Sequence, residues 1–306
     1  TLDLAEVEGD AVFVYSPEKR LGRGETLLEL IETAYVTFRN KREFMRAGTT
    51  CICKACAAIP TLDLKFITHY GEFILQDITG KQKPVGSAVN LSHRLLKNSV
   101  SEATGWKAYA LFTEGSLTKL NVQPEGMHEE VERYEHLGNV KTHSMDLHAR
   151  YVELNKTTTV LIKPEEAHDS ATLDCAAPPA VVWEWIIDHE KRNLLGEGKL
   201  HWSTGLRPGG RTGLGATSHC AHGKASATET VLAWKPFEYF AAEYQGGPLP
   251  LIMTYELLAI SNGTRLTWQC KLNSRLPRWL LRLIAKKGIR MTETLVGVQR
   301  IIAREA

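Results

Sequence analysis

The sequence predicts an α+β chain of two domains, and three observations carry that expectation. Residues 1–154 mix short strand-like runs with a long amphipathic helix, and residues 169–306 alternate apolar and polar positions through five successive segments. A Thr- and Lys-rich stretch with Pro164 lies between them at 155–168. At 306 residues, with 43% hydrophobic and 24% charged residues, the chain is long enough to bury two cores. Lys and Arg number 37 against 35 Asp and Glu, a net charge of +2, and no basic block is present. That balance argues against a dedicated nucleic-acid surface.

The elements follow in order. E-V-E-G-D-A-V-F-V-Y at 6–15 is a hairpin with Gly9 and Asp10 at its tip. Leu27, Leu28, Leu30, Ile31, Ala34, Tyr35 and Phe38 recur at helical spacing and place an amphipathic helix over 24–47. A Cys-containing loop comes next, then a strand at 62–70, with T-H-Y-G-E-F at 68–73 also strand-like. A hairpin arm leads through Gly80 to a loop and helix at 84–98, and W-K-A-Y-A-L-F at 106–112 is a strand. The Glu-rich stretch near 125–136 is expected as a helix, and 140–154 as the closing strand.

The second domain opens with a strand, a Pro-Pro helix entry and a short aromatic helix over 170–187. Segments 216–222, 227–234, 238–244, 251–260 and 264–272 alternate with period two and form an antiparallel meander. One long helix from Pro277 to Ala303 closes the chain. No apolar run approaches the roughly eighteen residues a membrane span needs, so the expectation is a cytoplasmic chain without a transmembrane segment.

Several side chains suit particular chemistry. Asp10 projects a carboxylate from a hairpin tip, where a hard cation finds a rigid ligand. Asn90 and Arg94 lie one helical turn apart on one face, and an amide beside a fixed cation suits the charge of a triphosphate. Cys51, Cys53 and Cys56 form C-x-C-x-x-C, which supplies three of the four ligands of a tetrahedral zinc site or, equally, three reduced thiols. Cys175, Cys220 and Cys270 stand singly on strand-like segments as small core residues. His69 is expected as a strand histidine, and His219 and His222 point to opposite sides of theirs.

The G-D hairpin, H-Y-G-E at 69–72 and K-P-V-G-S-A-V-N-L-S-H-R at 83–94 occur in the order found in the class III nucleotide cyclase catalytic domain, which the first half resembles. The resemblance implies a ferredoxin-like sandwich lacking its first strand and helix, and an N-terminal piece is expected ahead of Thr1. It further implies a nucleoside triphosphate substrate and two Mg or Mn ions held by two aspartates, of which Asp10 matches the second. Asn90 and Arg94 take the catalytic positions. Glu6 takes the base-reading position and favours guanine, whose N1 and N2 protons a carboxylate accepts. Lys83 takes the second base-reading position, where the family usually has Asp or Cys, and Lys141 stands where a triphosphate-clamping residue is found. Class III sites form between two domains, so the resemblance also implies a homodimer.

Strand, short helices, meander and terminal helix over 168–306 resemble the START-like, polyketide-cyclase-like helix-grip fold. That fold encloses an apolar cavity for a hydrophobic small molecule or lipid, with Trp183, Trp202, Trp234, Tyr255 and Trp268 as lining candidates and equally good core residues. The combined expectation is a signalling-type protein pairing a cyclase-like domain with a ligand-binding one. The alternative is a non-catalytic binding or transport protein whose first half binds nucleotide or dimerises.

Overall fold

The computed structural model describes residues 2–48, 51, 53–78, 80–156, 162–195, 201–222, 225–246, 249–288 and 291–305. It divides into two compact units, Thr1–Asn155 and Lys156–Ala306.

The first unit is built on a four-stranded sheet. Its strands are β3 (Lys65–Thr68), β6 (Tyr109–Thr113), β8 (Gly138–Asp146) and β7 (His128–Tyr134), in that spatial order. β3 runs parallel to β6, and the other two pairs are antiparallel. The run Tyr109–Thr113 is buried throughout, so it faces protein on both sides. Ala108, Ala110 and Phe112 pack with Leu28, Ile31 and Tyr35 of α1 (Gly24–Gly48), Leu117 of α5 (Glu114–Leu120) and Leu147 of α6 (Leu147–Lys156). Tyr109 and Leu111 pack with Leu95 of α3 (Ser87–Leu95) and Val100 of α4 (Val100–Thr104). The sheet is therefore covered by helices on both faces.

Three expectations about single elements are corrected here. The Glu-rich stretch is strand β7, with Glu130 and Glu132 on its inner side; buried Glu132 accepts from the Ser99 amide and hydroxyl, both at 2.8 Å. Residues after Asp146 form α6 rather than continuing the strand, because the Asp146 carboxylate accepts from the His148 and Ala149 amides at 2.8 and 3.2 Å and caps the helix. β3 also ends at Thr68, leaving 69–73 outside any strand.

Two ribbons flank this sheet, β1 (Asp3–Glu8) with β2 (Ala11–Tyr15), and β4 (Ile74–Ile78) with β5 (Lys81–Val85). The short helix α2 (Lys54–Ala58) follows the first Cys residues.

The second unit is a seven-stranded antiparallel sheet. In spatial order its strands are β10 (His201–Thr204), β11 (Thr217–His222), β12 (Ala225–Lys235), β13 (Tyr239–Gln245), β14 (Leu251–Ile260), β15 (Gly263–Leu272) and β9 (Asp169–Cys175). The meander pairs neighbour with neighbour, and the first strand closes it by pairing with the last. Helices α7 (Pro179–Ile187) and α8 (His189–Leu195) follow β9, while α9 (Arg278–Gly288) and α10 (Met291–Glu305) follow β15. This order and topology are those of a helix-grip domain. The terminal segment expected as one helix is helical over Arg278–Gly288 and Met291–Glu305, with 289–290 outside the described residues. β12 carries a bulge at Leu232, which lies between the paired positions Val231 and Ala233 and has no partner of its own.

Among the described residues, no helix is long and apolar enough to cross a membrane.

Candidate functional site

In the first unit, the β1–β2 ribbon turns one face toward β5 and α3. Glu6, Glu8, Phe13 and Tyr15 lie on that face by the pairing register. The Phe13 ring lies 5.1 Å from that of His93, Tyr15 lies 5.5 Å from Phe73, and Glu8 reaches His93 at 3.9 Å. Lys83 donates to Glu6 at 2.6 Å. That hydrogen bond is the main reason the Glu6 carboxyl titrates below its ordinary range and the Lys83 ammonium above its own. The two positions that the cyclase resemblance assigns to base reading are thus in contact.

Asp10 occupies the second place of the two-residue turn and is exposed. Gly9 before it has φ +63°, the left-handed conformation that the first place of a type II′ hairpin turn requires. Asn90 and Arg94 are both exposed and, four residues apart on α3, share one face. Lys141 on β8 is bound to Glu114 at 2.9 Å and Glu129 at 3.2 Å. These hydrogen bonds raise its titration, and a phosphate would have to displace two carboxylates to reach it. His69 accepts from or donates to the Thr113 hydroxyl at 3.0 Å, and burial lowers its titration. It lies just past the end of β3 rather than in the strand where it was expected.

In the second unit, the expected aromatic residues form a row. Trp234, Phe240, Tyr255 and Trp268 are directly opposed from strand to strand across β12 to β15. Trp234 lies 5.6 Å from Phe240, Phe240 stacks on Tyr255 at 5.4 Å, and Trp183 of α7 meets Trp234 at 4.9 Å. All five are buried, so they pack the inner face of the sheet beneath α7. The indole nitrogens of Trp234 and Trp268 are buried without a hydrogen-bond partner.

Trp202 belongs to a different group, which sequence reasoning missed. Arg192 of α8 is buried and donates through both terminal nitrogens to Glu229 of β12, at 3.1 and 2.9 Å. Its guanidinium carbon lies 3.3 Å from the Trp202 ring centroid. The Tyr244 hydroxyl donates to the same carboxylate. Burial alone would push the Glu229 carboxyl up, but the Arg192 charge and these hydrogen bonds outweigh it and hold the carboxylate ionised. Nearby His189 contacts the Ser218 and Thr204 hydroxyls at 2.9 and 3.2 Å, and burial, reinforced by Arg192 and Arg207, pushes its titration down to about 4. A signal was present: Glu229 and Val231 share a face by period two, so a carboxylate on the buried side of β12 demanded a cation.

Between α1 and β3, the Sγ atoms of Cys51, Cys53 and Cys56 all lie within 4.8 Å of one another. Cys175, Cys220 and Cys270 are buried, as expected of core thiols. His219 is exposed and pairs across to Thr228; the His222 side chain lies outside the described residues.

Residues 1–104 match a family described as "Protein of unknown function (DUF2652)". The chain is 34% identical over 101 residues to the uncharacterized protein Rv2561/Rv2562 of Mycobacterium tuberculosis, a match spanning 32% of this chain and 46% of that relative. Among solved structures it is similar to protein MLL2253 from Mesorhizobium loti, at 13% identity over 45% of this chain and 98% of that one, TM-score 0.37. Protein NE0264 from Nitrosomonas europaea matches at 16% identity over 48% and 100% of the two chains, also at TM-score 0.37. Protein Ms6760 from Mycobacterium smegmatis matches at 14% identity over 49% and 99%, TM-score 0.37. At these values the structural likenesses carry no functional assignment, and the fold of each unit rests on its own topology.

Proposed function

We propose that this chain is a signalling-type protein in which a class III cyclase-like unit binds a nucleoside triphosphate and a helix-grip unit binds a hydrophobic small molecule or lipid. The observation that carries the reading is the Lys83–Glu6 contact at 2.6 Å, which unites the two base-reading positions beside the helix bearing Asn90 and Arg94. A carboxylate accepts from the N1 and N2 protons of guanine, and an ammonium next to it donates to O6. Asn90 and Arg94 then supply an amide and a fixed cation for the phosphates.

Asp10 fits one ligand position of a hard divalent ion, since it is an exposed carboxylate on a rigid turn. Mg or Mn bound there would neutralise polyphosphate charge. Among the described residues, no group of three or more metal-capable side chains includes Asp10. On the class III resemblance, turnover would need a second metal-binding aspartate and a second copy facing Asn90 and Arg94. The outer row of the β1–β2 ribbon, Leu4, Val7, Val12 and Val14, is exposed and apolar, which supports pairing with another surface.

The test is to titrate the full chain with fluorescent GTP and ATP analogues in Mn²⁺ and to assay for cyclic nucleotide. Binding that prefers GTP, with the preference lost in Glu6→Lys, is expected; absence of binding by either nucleotide overturns the reading. If product forms, Arg94→Ala should lower its rate about 10²–10³-fold, the usual loss on removing one charge-stabilising donor. For the second unit, displacement of a fluorescent fatty-acid probe is expected, and no probe binding would remove the lipid half of the proposal.

A further inference from the structure

The segment between α1 and β3 is short, and it is anchored at its far end. Arg42, buried on α1, donates to the Leu62 carbonyl and lies 3.8 Å from Asp63. Within this frame, Cys53 caps α2 with extended backbone (φ −65°, ψ 156°), and its sulfur accepts from the Cys56 amide at 3.5 Å. The chain then turns so that Cys56 brings its own sulfur back to the same point. Cys51, two residues before Cys53, completes a triangle of sulfurs within 4.8 Å of one another. Tetrahedral thiolates at a metal–sulfur distance of about 2.3 Å stand about 3.8 Å apart, so closing this triangle on an ion takes a small side-chain adjustment. The Cys56 amide donates to the Cys53 sulfur, the kind of hydrogen bond that metal-bound thiolates accept.

We infer that Cys51, Cys53 and Cys56 form a thiolate site for a soft d¹⁰ cation, Zn²⁺ foremost, with its fourth position open to water or to a ligand from another molecule. Three thiolates on a divalent ion leave one negative charge, which an exposed site tolerates in water. The third sulfur is what favours a metal over a redox dithiol: a C-x-x-C pair needs two cysteines, and Cys51 would then have no reason to converge. The site is independent of the nucleotide and lipid readings. Its chemical class is set by sulfur alone, so hard ions such as Mg²⁺ are excluded from it.

The experiment uses the full chain, reduced, freed of metal by a chelator and titrated with Co²⁺ and then Zn²⁺. One equivalent of Co²⁺ should produce the near-ultraviolet charge-transfer and visible ligand-field bands of a sulfur-rich tetrahedral site, and Zn²⁺ should abolish them. Cys53→Ser and Cys56→Ser should each lose the charge-transfer band, whereas Cys175→Ala, which removes a core thiol on another unit, should retain it. Circular dichroism guards against misfolding, and because all three thiols are at least partly exposed their replacement should leave the spectrum unchanged. Three outcomes overturn the inference: no stoichiometric metal, bands that persist in Cys53→Ser, or a Cys53–Cys56 disulfide that forms in air and resists mild reductant in the presence of Zn²⁺.

Discussion

A buried ion pair is weak evidence of stability but a sharp source of fragility, and Arg192 with Glu229 makes the point. Desolvating both charges costs roughly what their attraction returns, whereas removing one partner strands the other and costs about 3–5 kcal/mol. Arg192→Met is expected to lose that amount in urea denaturation, while Arg192→Met with Glu229→Leu should recover most of it; a double variant as unstable as the single one would contradict this account. Six of the seven tryptophans lie after residue 156, so intrinsic fluorescence reports chiefly on this unit. His189 gives a pH prediction. Its titration falls from 6.5 when unfolded to about 4 when folded, so between those values the unfolded chain binds the extra proton. Stability should therefore fall as pH drops from about 6.5 to 4. Salt-bridged carboxylates such as Asp174, lowered by its Arg265 partner, add to acid loss. His189→Gln should flatten the slope above pH 4 in thermal melts across that range, and an unchanged slope would show that the histidine is not the titrating group.

Among elements, α1 is held to α5 by an approach that only glycine permits. A Cβ on Gly24 would lie 1.7 Å from the Leu120 carbonyl oxygen, which is backbone and cannot swing aside. Gly24→Ala should cost about 1–3 kcal/mol or more through overpacking, measured as a loss of far-ultraviolet circular dichroism at lower denaturant. A wild-type midpoint would mean the helices can slide apart. The sequence made α1, the meander and the α7 entry legible because their apolar residues repeat at 3.6 or 2 and their ends carry Pro or Gly. It misled at β7, where the inward positions are His128, Glu130, Glu132 and Tyr134, so charge on the buried side hid the alternation. It misled again after Asp146, where a capping carboxylate followed by Leu147 and Tyr151 at helical spacing outweighs β-branched neighbours.

For the whole molecule, sequence spacing named candidate residues but not their pairings. Spacing put Asn90 and Arg94 on one helix face and Asp10 at a hairpin tip, yet it could not place Lys83 against Glu6, seventy-seven positions away. Nor could it place Arg192 on Glu229, because long-range partners depend on strand order. The proposed half-site on each copy would make the activity depend on the concentration of chains. Specific activity or nucleotide affinity should fall on dilution in parallel with dimer content measured by analytical ultracentrifugation, and a concentration-independent value would rule out a shared site.

The bulge at Leu232 sets a limit on how this chain can vary in length. Glu229 and Trp234 are five residues apart, an odd interval that would put them on opposite faces of a regular strand. The unpaired residue shifts the phase, so one strand serves both the charged and the aromatic ends of the same inner face. An in-frame deletion of that single codon would leave every other amino acid in place and yet turn either the carboxylate or the indole outward. Inherited gaps within residues 229–234 should accordingly be purged, even where substitutions of Leu232 itself are tolerated.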